Sequence, residues 1–138
     1  MQIKQISVFL ENNVGRLGEV TEALAKGGIN IRAISIADTA DFGILRLIVD
    51  KEAEAQRVLN EAGFTIRETS VAAVEIDDLP GSLAKVMELF RKSNVNIEYL
   101  YASLRSTPGK AVVIFKLEDI EKGITIIEEH GLAMIERF

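Results

Sequence analysis

Near the N-terminus two asparagines, a glycine and an arginine fall in one short stretch, Glu11-Asn12-Asn13-Val14-Gly15-Arg16-Leu17. These residue types suit the recognition of a small zwitterion. A carboxamide carries both a donor and an acceptor, so Asn12 and Asn13 can address either end of an amino acid. Gly15 has no Cβ and lets a ligand or a neighbouring backbone come close, and Arg16 adds charge on the carboxylate side. A helix opening here leaves its first N–H groups unpaired at the positive end of its dipole, a seat for a carboxylate. Asn30 and Ile31 complete the candidate set from the next strand, with Leu17 and Ile31 as apolar wall. The same residues have a plainer use. Either asparagine can cap the helix, a role worth about 1 kcal/mol; Gly15 can relieve a tight turn, and Leu17 and Ile31 can belong to the core.

The stretch recurs as Asp77-Asp78-Leu79-Pro80-Gly81-Ser82-Leu83, and Asn30-Ile31 recurs as Asn96-Ile97. Gly15 and Gly81, Leu17 and Leu83, Val20 and Val86, and Asn30 and Asn96 are each 66 positions apart (81 − 15). A constant offset across several elements means two copies of one folding unit, here residues 1–70 and 71–138. Asp78, Leu79, Pro80, Gly81, Ser82, Leu83, Asn96 and Ile97 therefore form a second candidate site. Pro80 suits a helix start, where its missing N–H is not needed. Asp78 puts negative charge where a ligand carboxylate would approach. The second loop either takes the ammonium end or is a structural copy whose helix a carboxylate stabilises; the structural copy is the preferred expectation.

The elements that position these loops follow from periodicity. Ile6, Val8 and Leu10 alternate with Ser7 and Phe9 as in a strand. Leu17, Val20 and Leu24 make a helical stripe that Gly27-Gly28 ends. Ile29–Ile36 and Ile44–Val49 read as a hairpin across the turn residues Asp38-Thr39-Ala40-Asp41-Phe42-Gly43. Ala55, Val58, Leu59 and Ala62 mark a second helix, and Phe64–Thr69 a fourth strand. The second copy repeats the order. Val71–Ile76, a Leu83/Val86/Phe90 helix stripe and Val95–Ser103 come first. Lys110–Leu117 returns across Ser106-Thr107-Pro108-Gly109, and an Ile120/Ile124/Ile127 stripe and Leu132–Glu136 follow. Right-handed crossovers turn each β-α-β-β-α-β copy into a ferredoxin-like sandwich, an antiparallel sheet with both helices on one face, in the α+β class. No flexible linker separates the copies, since Thr69 to Ala73 passes straight from strand to strand.

Composition narrows the function classes. A formal charge of −5 argues against nucleic acid, whose binding begins with phosphate neutralisation by basic residues. The absence of cysteine excludes disulfides, thiolate metal sites and a cysteine nucleophile, and is compatible with the cytoplasm. The first residues are strand-like rather than a signal peptide. Ala111-Val112-Val113-Ile114-Phe115 is far shorter than a membrane span. No catalytic set, cofactor motif or metal cluster is expected; the single histidine, His130, sits at a helix end as a charge partner. Copies just under seventy residues long are marginal alone, so a homodimer is expected.

Asn-x-x-Gly-x-Leu after the first strand and Gly-x-Asn-Ile before the next resemble the ACT domain. The matching residues are Asn12, Gly15, Leu17, Val20, Gly28, Ile29, Asn30 and Ile31, then Pro80, Gly81, Leu83, Val86, Val95, Asn96 and Ile97. Each motif alone is short; its appearance twice, at one offset and in the right order, makes the resemblance specific. It covers essentially the whole chain as a stand-alone pair. The resemblance implies a non-catalytic regulatory module that binds a free amino acid at a domain or subunit interface and signals to a metabolic enzyme. Three rivals stand beside it. Arg16 with Asn30 superficially offers the arginine–asparagine pair of acylphosphatases, but their phosphate-binding loop pattern is missing. RNA-recognition motifs share the element order, yet Gly43–Ile48 carries no aromatic residue for stacking. The third rival, a protein–protein assembly module with no small ligand, stays open.

Overall fold

The computed structural model describes residues 2–38, 41–104 and 107–138. Met1 of the opening strand, Thr39 and Ala40 of the first hairpin turn and Ser106 of the second lie outside the described residues. The elements are β1 (Ile3–Glu11), α1 (Arg16–Lys26), β2 (Ile31–Asp38), β3 (Phe42–Val49), α2 (Glu52–Glu61), β4 (Thr65–Asp77), α3 (Ser82–Lys92), β5 (Ile97–Ala102), β6 (Lys110–Leu117), α4 (Ile120–Glu129) and β7 (Ala133–Ile135). Chain ends aside, they group into two compact units, Lys4–Thr69 and Ser70–Arg137.

The fold is the tandem ferredoxin-like pair, with strand order β2-β3-β1-β4 in the first unit and β5-β6-β4-β7 in the second. One feature differs from the expected eight strands. The last strand of the first copy and the first of the second are a single thirteen-residue strand, β4. Its sequence contains no glycine or proline to turn the chain, and Thr65, Ile66, Thr69, Val71 and Val74 all favour extended backbone.

Each unit buries one sheet face under its two helices. In the first, Val20 and Leu24 of α1 and Ala55 and Leu59 of α2 pack on Val8 and Leu45. In the second, Val86 and Phe90 of α3 and Ile127 of α4 pack on Val74, Phe115 and Leu117. In the first unit the buried helix stripe thus starts at Val20 and not at Leu17, which is 41% exposed and stands outside the core. On the face away from the helices, Tyr101 is buried opposite Ile114, and Tyr99 is half-buried opposite Lys116.

A carboxylate pair links α2 to β4. Gln56 donates its amide to Glu52 and, at 2.7 Å, to Glu68, and Lys4 sits 3.4 Å from Glu68. Burial pushes the Glu52 carboxyl above its ordinary range, and the neighbouring Glu68 adds to the rise. Glu68, hydrogen-bonded by Glu52 and Gln56, is held lower. A raised folded-state value favours the native protein below the ordinary glutamate range, and that contribution is lost as pH climbs through the folded value. Glu52→Gln, which removes the charge but keeps the acceptor, should therefore raise the neutral-pH Tm by about 1–2 °C. The gain should vanish in acid, where Glu52 is already protonated. Thermal melts from pH 3 to pH 8 check this; an equal gain at every pH would refute it.

Candidate functional site

Both candidate loops are built in the same way. Helix α1 begins after Gly15 (φ 88°, ψ −13°) and α3 after Gly81 (φ 88°, ψ −10°), and no side chain caps either helix. The left-handed backbone explains why glycine stands at both positions, since a Cβ there costs about 1–2 kcal/mol. The Arg16 amide donates to the Asn13 carbonyl at 3.4 Å, and the first bond within the helix runs from the Glu19 amide to Gly15. The copy repeats this with Ser82 to Leu79 at 3.2 Å and Lys85 to Gly81 at 3.1 Å. The next amides of each first turn, Leu17 and Gly18, Leu83 and Ala84, face out of the helix start with no capping side chain.

The capping use of the asparagines is therefore overturned. Asn13 donates its side-chain amide to the Glu11 carboxylate at 3.1 Å. Asn12 is exposed, its backbone amide donating to the Asp41 carbonyl at 3.0 Å. Asp78 likewise caps nothing; its amide donates to the Gly109 carbonyl at 3.0 Å. The side-chain cap the chain does use is elsewhere: Asp119 accepts the Lys122 amide at 3.1 Å and starts α4. Asp119→Ala should cost about 1 kcal/mol in denaturant melts, while Asn12→Ala should stay within about 0.5 kcal/mol. Equal costs would mean that Asn12 does serve the helix.

Arg16 is not offered to the loop. Its guanidinium pairs with Glu19 and lies 4.8 Å over the Phe64 ring, and its Nε is buried without a partner. Leu17, expected as wall or core, is exposed beside Val14, whose side chain stands fully in solvent.

Asn30 and Ile31 do not converge with the loop of their own unit. Glu11 pairs with Phe42 and Asp38 with Gly43 at the loop end of the sheet, whereas Ile31 pairs with Val49 at the other end. Seven strand residues separate Asp38 from Ile31, about 20 Å. Asn30 is held there by Asp50, whose carboxylate accepts its amide at 2.9 Å and whose amide donates back at 3.1 Å. The second copy matches: Asp77 pairs with Lys110, Ile97 with Leu117, and the Asn96 carbonyl accepts the Glu118 amide at 3.0 Å. The two motifs of one unit thus lie at opposite ends of its sheet.

Beside the second loop the structure shows a cavity of about 230 Å³, lined among others by Asp77, Ser82, Lys85 and Lys110. Asp77 and Lys110 pair at 2.6 Å, which holds the Asp77 carboxyl below and the Lys110 ammonium above their usual ranges. Lys85 and Lys110 escaped the sequence reading. The readable signal was charge reversal at one repeat position, Glu19 against Lys85. His130 ends α4 with its Nδ1 2.9 Å from the Ile126 carbonyl oxygen, in keeping with a helix-terminal role. Among the described residues no cluster of His, Asp and Glu could hold a metal, and no helix is long and apolar enough to cross a membrane.

No curated protein sequence matches the chain. Among solved structures it is similar to a protein of Bacteroides thetaiotaomicron, at 39% identity and a TM-score of 0.93, over 98% of this chain and 92% of that one. The regulatory subunit of aspartate kinase from Thermus thermophilus, in a ligand-free form, shares the fold at 22% identity and a TM-score of 0.66, with 91% of each chain covered. The corresponding subunit from Thermus flavus does so at 20% identity and 0.62, covering 91% and 90%. The sequence model of the ACT domain pair matches residues 1–137, and the chain belongs to that family.

Proposed function

We propose that this ACT domain pair is a non-catalytic regulatory module that binds a free amino acid and signals to a metabolic enzyme, acting in the cytoplasm as a homodimer. The observation that carries the reading is the pair of helix starts, each opened by a left-handed glycine and left uncapped. A protein that needed these turns only for folding would gain from a capping side chain; amides left open suit an incoming carboxylate. In the first-loop site the ligand lies against Glu11, Asn12, Asn13, Val14, Gly15 and Leu17 of one subunit. Asn30 and Ile31 come from the other subunit, because within one unit they are a sheet length away. Regulation follows when the amino acid binds one subunit arrangement better than another. The fold is also that of aspartate kinase regulatory subunits, which is compatible with service to an enzyme.

A thermal-shift screen of the common amino acids tests the reading, since a ligand for the native state must raise the Tm. At least one should do so, and none doing so would overturn it. Asn12→Ala combined with Asn13→Ala should weaken the first-loop site about tenfold or more by calorimetry, while unfolding stays cooperative. The assembly-module reading draws on Val14, Ile36 and Phe42, apolar side chains exposed in the first unit. A chain that dimerises with no thermal response to any amino acid would favour it.

A further inference from the structure

The boundary between the two compact units falls between Thr69 and Ser70, inside the strand β4. Boundaries between independent domains lie in exposed, flexible segments rich in proline, glycine and polar residues. This boundary has the opposite character. Arg67 to Ala73 contains neither glycine nor proline, and Thr69 and Ser70 are half-buried. Val71, Ala72, Ala73 and Val74, which follow at once, are fully buried.

The two halves of β4 serve different cores. In the first unit the strand neighbours β1, Ile66 packs on the core of Leu45 and Leu59, and Glu68 accepts the Gln56 amide at 2.7 Å. In the second, Ala72–Asp77 pairs with β6 and Ala73–Glu75 with β7. There Ala72 and Val74 are buried with Val86, Phe90 and Phe115. Were the second unit to open alone, the strand would have to pass from ladder to coil at a point with no residue suited to a break. Otherwise its C-terminal half would stay extended with Val71 to Val74 in water, at a cost set by the apolar area exposed. The unit left standing would be under seventy residues, a size at which a lone core is marginal.

We infer that β4 makes the two units one cooperative folding unit, so that neither opens alone and a change in the stability of one is felt in full by the other. Local opening is the means by which distant parts of a protein are coupled without any change in average structure. Whatever steadies one loop then suppresses opening in both units, which lets the state of one unit be read at the other. The coupling lies in folding energetics and needs no ligand, so it stands apart from the amino-acid reading above.

Native-state hydrogen exchange on the full chain tests it, because it reads the opening of each unit separately. The slowest amides of β3 and of β6 should share one opening constant, to within about threefold. Ile127→Val, at a fully buried position of the second core, should speed exchange in both strands by one factor, about twofold to tenfold. Leu59→Ala in the first core should speed both by about thirtyfold or more. A flexible Gly-Ser-Gly-Ser insertion between Thr69 and Ser70 breaks the strand and should confine each effect to its own unit. Failure of the inserted chain to fold would show the same dependence, since independent domains tolerate a linker. Ile127→Val that speeds β6 and leaves β3 unmoved in the uninterrupted chain overturns the inference. Undiminished transfer in the inserted chain overturns it too, because the coupling would then lie outside the strand.

Discussion

Phe115→Ala should lower the unfolding free energy by about 3–5 kcal/mol, the usual cost of emptying a buried phenylalanine site. Phe115 is fully buried in the middle of β6 and meets Phe90 of α3 edge-on, with centroids 5.4 Å apart and planes at 71°. That geometry adds about 0.5–1.5 kcal/mol beyond area burial and leaves Phe90 facing a void when its partner goes. Val74, Val113 and Leu117 surround the pair on a rigid sheet, so the site has little means to collapse. A whole domain is commonly stable by only about 5–15 kcal/mol, which makes this a large fraction for a unit under seventy residues. Urea denaturation followed by circular dichroism should show a lower midpoint at unchanged slope. Phe9→Ala, at a position 40% exposed, is the control and should move stability by no more than about 0.5 kcal/mol. A Phe115→Ala cost below about 1 kcal/mol would show that the second core repacks freely.

The two cores were legible because apolar spacing is a local property. Val20 and Leu24, or Val86 and Phe90, reveal a buried helix stripe without any knowledge of what lies opposite. The repeat offset revealed the pairing of the loops in the same way, and the matched dihedrals at Gly15 and Gly81 are its structural counterpart. What failed depended on contacts remote in sequence. Arg16 looked available for a ligand because Phe64, the ring it covers, lies 48 positions away (64 − 16). Leu17 looked buried because the stripe extends to it, yet it is 41% exposed, while its repeat counterpart Leu83 packs against the second core. The joining of Asn30–Ile31 to the Asn12–Gly15 loop failed on topology that was available. An eleven-residue helix carries the chain back about 16 Å, so the strand after it must begin at the far end of the sheet.

The loop glycines supply the other large effect. Gly15→Val and Gly81→Val should each cost about 2 kcal/mol, because a β-branched residue at φ near 88° pays for a left-handed backbone that valine strongly disfavours. A Cβ at either position would meet no atom within 4 Å, so the penalty comes from the backbone alone and cannot be relieved by moving a neighbour. Two checks follow from that origin. Asparagine, which visits the left-handed region more readily, should cost clearly less than valine at both sites. The two valine variants should cost nearly the same, since the backbone angles of the two loops agree to within a few degrees. Equilibrium unfolding of the four variants measures both. Function should fall further than stability: to escape the strain the peptide before the helix must rotate, which re-aims the uncapped first-turn amides. Ligand affinity at the first loop should therefore drop in Gly15→Val even at temperatures where the protein stays folded, and partly recover in Gly15→Asn. If valine proves as benign as asparagine, the left-handed turn is not required. The open helix start would then lose its claim to be a built feature of the loop.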